Sequence, residues 1–306
     1  MKRLLITGRS GFVGGAVCRC LARDGRRIGW EAIDLPIALD LRDRAATARL
    51  VAEARPDGVL HLAAQSAIPE SFRDPVSTIE VNLLGTLSLL QALATIGFAG
   101  RLVHAGTGDI YGLVPEADLP VGEARLPRPR NPYAVSKLAS EALCWQWHAS
   151  EGMDVVLARA FNHIGWGQSD RFAIASFARQ LVEIRRGTRD HVIKTGDIDV
   201  TRDFTDVDDV AAAYLALLAW GTAGEVYNVC SGVERRVGDL LQQMMEIARI
   251  DVTLEEDALR LRPSEQRRMR GDAGKILAAT GWKAATPIEV SLRSALDYWE
   301  GQARQL

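Results

Sequence analysis

Residues 7–14 read TGRSGFVG and lie between two patterns of different period. The apolar run RLLIT at 3–7 predicts a β-strand, and the spacing of apolar residues over 12–24 predicts a helix. Strand and helix patterns go on alternating through the first half of the chain. The sequence therefore predicts an α/β fold with a doubly wound parallel sheet, helices on both faces and a smaller mixed α/β domain. The other predicted strands are 26–33, 58–64, 101–106 and 154–161, and the other predicted helices are 43–54, 74–96 and 132–150.

The three glycines of this turn have separate tasks in a dinucleotide site. Gly8 permits a tight turn, Gly11 lets a pyrophosphate approach the backbone, and Gly14 allows the helix to pack on the sheet. The N–H groups and the dipole of a helix N-terminus favour an anion there. Glycines at this spacing in the first strand-to-helix turn are typical of the Rossmann fold. We therefore predict cofactor contacts from the turn residues Gly8, Gly11, Phe12, Val13 and Gly14.

An acidic residue follows the turn at the distance that a dinucleotide site requires. Asp34 ends the predicted second strand, where its carboxylate can accept hydrogen bonds from a ribose 2′-hydroxyl and repel a 2′-phosphate. The predicted cofactor is NAD(H) or NADP(H), and Asp34 favours NAD(H), although Arg9 in the turn can weaken that preference. Asp40 and Leu41 suit an adenine edge. Small residues after the third strand let the cofactor lie flat, and these are Leu62, Ala63 and Ala64.

The composition argues against several classes of protein. The chain has 306 residues, a formal net charge of -2 at pH 7 and 47% hydrophobic residues, which is ordinary for a globular protein. This charge indicates neither a nucleic-acid partner nor a membrane partner, and no apolar run reaches membrane-spanning length. The four cysteines lie in apolar segments without a histidine cluster. We therefore expect reduced thiols, no metal site and a cytoplasmic protein.

Further motifs identify a family. They are LAA at 62–64, NLLGT at 82–86, TGDIYG at 107–112 and YAVSK at 133–137. Together with the glycine-rich turn they cover essentially the whole chain in order, and the chain resembles the extended short-chain dehydrogenase/reductases of the NAD-dependent epimerase/dehydratase group. The resemblance implies an oxidoreductase that uses NAD(H) or NADP(H) and a catalytic set of a Ser or Thr, a Tyr and a Lys. In this sequence the set is Thr107, Tyr133 and Lys137.

The chemistry of this set explains the spacing of Tyr133 and Lys137. The tyrosine must exchange a proton with a substrate carbonyl or hydroxyl, and a free phenol with a pKa of about 10 is poorly matched to neutral pH. Lys137 lies one helical turn later on the same face, so we expect its ammonium group to lower the pKa of the phenol. Thr107 ends the fourth predicted strand, where its hydroxyl can hold the reacting oxygen beside Tyr133.

Three nearby residues have open roles. Asn82 lies inside a predicted helix, where Asn is disfavoured, and either bonds the main chain of the fourth strand or takes part in catalysis. Tyr111 packs either near the substrate or in the core. For His163 a packing role near the nicotinamide is favoured over a catalytic one.

Segments after residue 158 resemble the branch of this family that acts on GDP-linked sugars. They read RAFNHIGWGQ at 159–168, GDIDVTRD at 196–203, YNVCSG at 227–232 and LRPSEQ at 261–266. Similar stretches occur in GDP-mannose 4,6-dehydratases and in GDP-4-keto-6-deoxy-D-mannose reductases. The reductases resemble this chain more closely in local sequence and in chain length. The resemblance implies reduction of the 4-keto group of GDP-4-keto-6-deoxy-D-mannose with NADH or NADPH. The implied product is GDP-D-rhamnose, a precursor for polysaccharide biosynthesis.

The same segments carry the residues predicted to bind the nucleotide sugar. Asn162 can donate its amide to a diphosphate oxygen, and Glu265 can accept from the nucleotide ribose. Arg202 and Arg262 can grip the diphosphate because a planar guanidinium matches phosphate in a bidentate manner. Ser71, after the third strand, is predicted to line the hexose pocket.

One position separates the reductase from the dehydratase. The dehydratases carry a carboxylate two residues after the Ser or Thr, usually Glu, which removes the C5 proton. This chain has Asp109 there, and its side chain is shorter by roughly 1.5 Å. Asp109 is therefore expected to bind a sugar hydroxyl, with weak dehydratase activity left open. The alternatives are a GDP-mannose 4,6-dehydratase, another dehydratase or epimerase that retains NAD, and a non-catalytic NAD(P)-binding sensor.

The expected domain division follows the order of the motifs. Segments 1–161 and 203–228 are predicted to form the dinucleotide-binding domain, and 162–202 and 229–306 the nucleotide-sugar domain. The site would lie in the cleft between them. In the family that the chain resembles, the helices corresponding to 74–96 and 132–150 pair as a four-helix interface, which implies a homodimer.

Overall fold

The structure, a computed structural model, describes residues 1–33, 39–258 and 266–304. A six-stranded parallel sheet forms its centre. The strands of this sheet are β1 (Lys2–Thr7), β2 (Trp30–Ala32), β3 (Gly58–His61), β4 (Arg101–Thr107), β5 (Asp154–Ala160) and β9 (Val226–Val229). Their order across the sheet is β2-β1-β3-β4-β5-β9, and every neighbouring pair is parallel. The predicted fold class, a doubly wound parallel sheet, is confirmed.

Helices cover both faces of this sheet. In chain order they are α1 (Phe12–Ile28), α2 (Arg44–Ala54), α3 (Ile68–Arg73), α4 (Pro75–Ile79), α5 (Gly85–Thr95), α6 (Pro132–Glu151), α7 (Ala173–Arg185), α8 (Val207–Trp220), α9 (Val237–Ala248), α10 (Gly274–Thr280) and α11 (Ile288–Ala303). Short turns of 3-10 helix span Gly108–Tyr111 and Glu116–Asp118, and a π-helical turn spans Glu80–Leu84. The strand order reverses between β1 and β3, and ligands of such sheets bind beyond the carboxyl ends of the strands at this point.

Several predicted elements differ in their bounds from the observed ones, among them the strand at 26–33 and the helix at 74–96. The predicted strand 26–33 is shortened to β2 because α1 continues to Ile28 and ends at Gly29, which has a φ of 77°. Glycine adopts this left-handed conformation at little cost, so it is a common residue at a helix end. The predicted helix 74–96 is observed as one helix over Pro75–Thr95, in which the π-helical turn joins α4 to α5.

The remaining strands form two small sheets outside the central one. They are β6 (Asn162–Ile164), β7 (Val192–Thr195), β8 (Thr201–Asp206), β10 (Glu234–Arg236) and β11 (Thr253–Glu256). β8 pairs with β6 and β10, outside the central sheet. The sequence analysis assigned the segment that begins at residue 203 to the dinucleotide-binding domain. α8, which follows β8, packs on α1, and β9 pairs with β5. A second apolar core lies among α7, α9 and α11. The division into two domains stays a prediction.

One helix in the described part of the chain, Pro75–Thr95, is long and apolar enough to cross a membrane. Half of its apolar window is buried, against neighbours that include α2 and α6. A core helix of a globular protein has the same length and composition, so this feature alone is weak evidence for a membrane span.

Candidate active site

The glycine-rich turn brings backbone atoms close together at the carboxyl ends of β1 and β3. Gly8 has a φ of 71°, and a Cβ atom there would lie 2.8 Å from the amide nitrogen of Ala63. Gly11 is the N-cap of α1, and no side chain caps that helix. A Cβ atom on Gly14 would strike the carbonyl oxygen of Gly8. Gly14 thus lets α1 approach the turn itself, rather than the sheet as the sequence suggested.

Thr7 joins this turn to the end of β3. Its Oγ1 accepts hydrogen bonds from the amides of Leu62, at 3.1 Å, and Ala63, at 3.2 Å. Leu62, Ala63 and Ala64 are half-buried at the edge where the strand order reverses. A helix N-terminus without a side-chain cap beside small residues fits a dinucleotide, because backbone N–H groups can face its phosphates.

The residues predicted to bind the adenosine end have mixed outcomes. Asp34 lies outside the described residues. Arg9 is half-buried, and its guanidinium donates to the carbonyl oxygen of Ile33 at 3.1 Å. The carboxylate of Asp40 is exposed. It accepts hydrogen bonds from the guanidinium and the backbone amide of Arg42, and these bonds lower the pKa of Asp40. Leu41 is buried and packs close to Gly85.

Phe12 meets a residue of the second half of the chain. Its ring stacks on His163, with ring centroids 5.6 Å apart and an angle of 12° between the planes. Nδ1 of His163 donates to the carbonyl oxygen of Phe161 at 2.9 Å. Burial lowers the pKa of His163, so the ring is neutral. This arrangement agrees with a packing role for His163 beside the first turn of α1.

The three predicted catalytic residues come from β4 and α6. Asn131 caps α6, since its Oδ1 accepts from the amide of Ala134 at 2.7 Å, and Pro132 occupies the first helical position. Tyr133 therefore lies in the first turn, and its phenol is hydrogen-bonded to Thr107, the last residue of β4. Lys137 follows one turn later and is only 3% exposed. The structure places all three beside the carboxyl edge of the sheet, but their catalytic role stays a prediction.

Burial raises the pKa of Tyr133 well above its ordinary value, and the nearby carboxylate of Asp109 raises it further. The hydrogen bond with Thr107 acts in the opposite direction but does not outweigh them. The expectation that Lys137 lowers the pKa of the phenol is therefore wrong for this structure. Tyr133 is therefore protonated at neutral pH, and its phenol is a weaker acid than a free phenol, so proton transfer depends on the negative charge that develops on the substrate oxygen.

Burial also lowers the pKa of Lys137, to about 8, although Cys144 and Glu141 act in the opposite direction. Two buried histidines lie on its sheet side. Burial and then the charge of Lys137 lower the pKa of His61 to about 3, and that of His104 falls well below its ordinary value for the same reasons. Both rings are therefore neutral, and Glu141 is the carboxylate that supports the charge on Lys137.

A buried chain of hydrogen bonds runs from β1 through β3 into the helix that contains the π-helical turn. Nδ1 of His61 lies 2.7 Å from Oγ1 of Thr7, and Nε2 lies 2.8 Å from Oγ1 of Thr86. Thr86 donates to the carbonyl oxygen of Asn82 at 2.6 Å, so its oxygen accepts from Nε2 of His61. The tautomer of His61 is fixed by these partners.

Asn82 continues this chain of hydrogen bonds to α6. Its Oδ1 accepts from the amide of Gln65 at 2.8 Å, and its Nδ2 donates to the carbonyl oxygen of Gln65 and to Oγ of Ser136. Ser136 donates to the carbonyl oxygen of Tyr133 at 2.7 Å. Asn82 thus binds the main chain after β3 and not the fourth strand, because the π-helical turn directs it there.

The sequence analysis missed a buried ionic cluster next to the predicted catalytic residues. Nε and Nη2 of Arg159 donate to the two carboxylate oxygens of Glu141, at 3.0 and 2.7 Å. Nη1 donates to the hydroxyl of Tyr111 at 3.0 Å and to the carbonyl oxygen of Glu123 at 3.2 Å. Tyr111 is fully buried and donates to Asn228, so it packs in the core rather than at the substrate. The feature of the sequence that could have indicated this cluster is an arginine inside the apolar run DVVLARAF, residues 154–161.

The predicted sugar-binding residues are not all brought together. Asn162 is exposed at the start of β6, and Arg202 is half-buried on β8 with Nη1 donating to the carbonyl oxygen of Thr201. Ser71 is fully buried, and its hydroxyl donates within α3 to the carbonyl oxygen of Ile68. Asp109 is half-buried beside Tyr133. The remaining two predictions, Arg262 and Glu265, lie outside the described residues.

Comparisons with known proteins agree with this geometry. A family model described as GDP-mannose 4,6 dehydratase matches residues 35–295. The chain is 48% identical over 304 residues to the GDP-6-deoxy-D-mannose reductase of Pseudomonas aeruginosa, with 99% of both chains covered. The structure of RMD from Pseudomonas aeruginosa complexed with NADPH has a TM-score of 0.93 at 48% identity, covering 99% of this chain and 100% of that one. A UDP-glucose 4-epimerase from Thermus thermophilus in complex with NAD has a TM-score of 0.85 at 31% identity, covering 98% of this chain and 99% of that one.

Proposed function

This chain belongs to the GDP-mannose 4,6 dehydratase family, within the extended short-chain dehydrogenase/reductases, and we propose that it reduces GDP-4-keto-6-deoxy-D-mannose to GDP-D-rhamnose with NADPH or NADH. The observation that carries this function is the hydrogen bond between Thr107 and the protonated Tyr133 at the carboxyl edge of the sheet, beside the dinucleotide turn. The similarity to a GDP-6-deoxy-D-mannose reductase supports the substrate.

The proposed chemistry is a proton transfer that accompanies hydride delivery. Gly8, Gly11 and Gly14 would hold the phosphates of NADPH or NADH, and the bound cofactor would supply the hydride that reduces C4 of the sugar. Thr107 and Tyr133 hold the carbonyl oxygen O4, and Tyr133 gives its proton to O4 as negative charge develops there. Because the pKa of Tyr133 is raised, the phenol stays neutral until this charge appears. The ammonium group of Lys137 then stabilises the phenolate until solvent returns a proton.

Asp109 distinguishes this reaction from a 4,6-dehydration. Its half-buried carboxylate lies close enough to Tyr133 to raise the pKa of the phenol, which keeps the phenol protonated before hydride transfer. We propose that Asp109 accepts a hydrogen bond from a sugar hydroxyl. The dehydratase reaction is the second candidate, because the family model has that description and Asp is a competent base.

The test uses purified protein with GDP-4-keto-6-deoxy-D-mannose and each reduced cofactor. We expect ketone-dependent oxidation of NADPH or NADH, and a product with the C4 configuration of GDP-D-rhamnose by NMR. Tyr133→Phe should lower kcat by about 10²-fold to 10⁴-fold while the protein still binds the cofactor. Tyr298→Phe on α11 is the matched control and should leave kcat unchanged. If neither cofactor is oxidised, the reductase proposal fails, and formation of a ketone from GDP-mannose without net cofactor turnover would favour the dehydratase.

For the cofactor we propose a preference for NADPH, in contrast to the preference for NAD(H) that Asp34 indicates. The guanidinium of Arg9 is held at the carbonyl oxygen of Ile33, the residue before Asp34, where the 2′ substituent of the adenosine ribose is expected. The NADPH complex of the Pseudomonas aeruginosa protein supports this choice. Arg9→Met should lower the ratio of kcat/KM for NADPH to that for NADH by about 10-fold to 100-fold. Arg3→Met, near the amino end of β1, is the control. An unchanged ratio in Arg9→Met would contradict the assignment of Arg9 to the 2′-phosphate.

We also propose that the protein is a cytoplasmic homodimer that pairs through α4, α5 and α6. Large apolar side chains are exposed on α4, on α6 and on the π-helical turn between α4 and α5, namely Val76, Ile79, Leu84, Val135 and Trp145. Sedimentation of the purified chain as a monomer would contradict the dimer.

A further inference from the structure

The guanidinium of Arg159 holds together two segments of the candidate active site. Through Glu141 it contacts α6, which carries Tyr133 and Lys137. Through the hydroxyl of Tyr111 it contacts the 3-10 turn that begins after Thr107 and contains Asp109. Its centre also lies 5.1 Å from the centroid of the Tyr111 ring. A planar guanidinium with fixed N–H directions restrains its partners more closely than a single point charge does.

The register of the sheet leaves space for this contact. Gly106 lies opposite Arg159 in the pairing of β4 with β5. Because Gly106 has no side chain, the carboxylate of Glu141 occupies the position above it, and a Cβ atom there would lie 3.4 Å from Oε2. The carboxylate therefore reaches β4 one residue before Thr107.

The hydroxyl of Tyr111 extends the contact to the far side of the cluster. It donates to Oδ1 of Asn228 on β9 at 2.7 Å. Asn228 in turn donates to the carbonyl oxygens of Val121 and Asp272. The segment around Asp272 follows the predicted sugar-binding stretch at 261–266. Arg159 is thus connected by hydrogen bonds to both sides of the predicted cleft.

We propose that Arg159 is a positioning residue, which fixes the helix bearing Tyr133 and Lys137 against the turn bearing Thr107, and that Glu141 keeps Lys137 charged during turnover. This inference rests on the proposed reductase function. Its physical basis is that a displacement of about 1 Å of a reacting group can cost about 100-fold in rate.

The charges that face Lys137 determine how the two roles can be separated. On α6 these groups are Glu141, Cys144 and Tyr133, and on the sheet side they are His61 of β3 and His104 of β4. Both histidines are neutral because burial lowers the pKa of each ring. Glu141 thus favours the charged form of Lys137, and Arg159, behind Glu141, partly offsets that effect.

Removing the charge of Glu141 and removing the charge of Arg159 should therefore shift the pH profile of kcat in opposite directions. Lys137 is charged below its pKa of about 8, so reduction should decline as the pH rises through that value. Glu141→Gln removes the supporting negative charge and should move this alkaline limb of kcat to lower pH by about one unit. Arg159→Gln removes the positive charge next to Glu141 and should move the limb to higher pH. A merely structural defect would lower kcat at every pH without moving the limb.

The matched control uses a second bidentate pair, which joins β4 to β5. Arg101 on β4 binds Asp154 on β5 at the amino ends of the strands. Asp154→Asn removes the same kind of carboxylate and should leave the alkaline limb in place. A wild-type protein without ketone reduction would overturn the proposed function and this inference with it. An active wild type whose limb is not moved by Glu141→Gln or Arg159→Gln would overturn this inference alone.

A milder variant tests the positioning role in case the charge variants do not fold. Tyr111→Phe keeps the ring over the guanidinium and removes only the hydroxyl that links Arg159 to Asn228. We expect kcat to fall by about 10-fold, with the KM for NADPH and the alkaline limb unchanged. Tyr227→Phe removes another buried hydroxyl, one that accepts from the amide of Thr222, and should leave kcat unchanged. A wild-type kcat in Tyr111→Phe would overturn the positioning role.

Discussion

Two bidentate arginine–carboxylate pairs lie near the two ends of β5 and differ in burial: one joins β5 to β4, and the other joins β5 to α6. At the amino ends, Arg101 binds Asp154 at 2.9 and 3.1 Å, with side-chain exposures of 20% and 37%. At the carboxyl ends, Arg159 binds Glu141 at 3.0 and 2.7 Å, with exposures of 6% and 8%. The bond lengths are nearly equal, so geometry alone does not separate the pairs.

Burial separates them, because it changes what each pair costs and what it can do. A buried ion pair loses hydration that its mutual attraction often fails to recover, so stability alone does not explain its presence. An exposed pair is screened by salt and contributes little in either direction. Arg159 lies opposite Gly106, the residue before Thr107, and Glu141 lies one helical turn after Lys137. The more exposed pair, Arg101 and Asp154, lies at the opposite end of the sheet. The contrast supports a role in the reaction for the buried pair.

The largest expected effect is on folding stability. Arg159→Met leaves the carboxylate of Glu141 buried without its partner and should lower the free energy of unfolding by about 3–5 kcal/mol. Arg101→Met should lower it by at most about 1 kcal/mol, because Asp154 can be solvated. Urea denaturation of both variants beside the wild type measures the difference. Equal losses would show that burial does not distinguish the two pairs.

A smaller effect is expected where the strand makes room for the buried pair. Gly106→Ala places a Cβ atom 3.0 Å from the carbonyl oxygen of Ala158 and 3.4 Å from Oε2 of Glu141. The crowding should lower the free energy of unfolding by about 1–3 kcal/mol and displace Glu141, which lowers kcat as well. Gly122→Ala meets no atom within 4 Å and is the control, with an expected change within about 0.5 kcal/mol. If Gly106→Ala keeps wild-type stability and kcat, Glu141 does not need the space above β4.

The candidate site was only partly predictable from sequence. Residues close together in sequence have a fixed relation in space, so the helical spacing of Tyr133 and Lys137 and the turn geometry of Gly8 could be predicted. The direction of the pKa shift of Tyr133 could not, because it depends on burial and on Asp109, which approaches through the fold. The destination of the Asn82 side chain likewise depends on a π-helical turn that no pattern of apolar residues indicates.

Local patterns along the chain were enough to specify the parallel α/β architecture, the dinucleotide turn and the family, because apolar period, glycine spacing and short motifs need no knowledge of long-range contacts. The pairing of Arg159 with Glu141, 18 positions apart, in a buried site beside the predicted catalytic residues was visible only in the folded structure. The physical reason is that desolvation and charge depend on which segments pack together, and that packing is set by the sheet order and register of the whole fold.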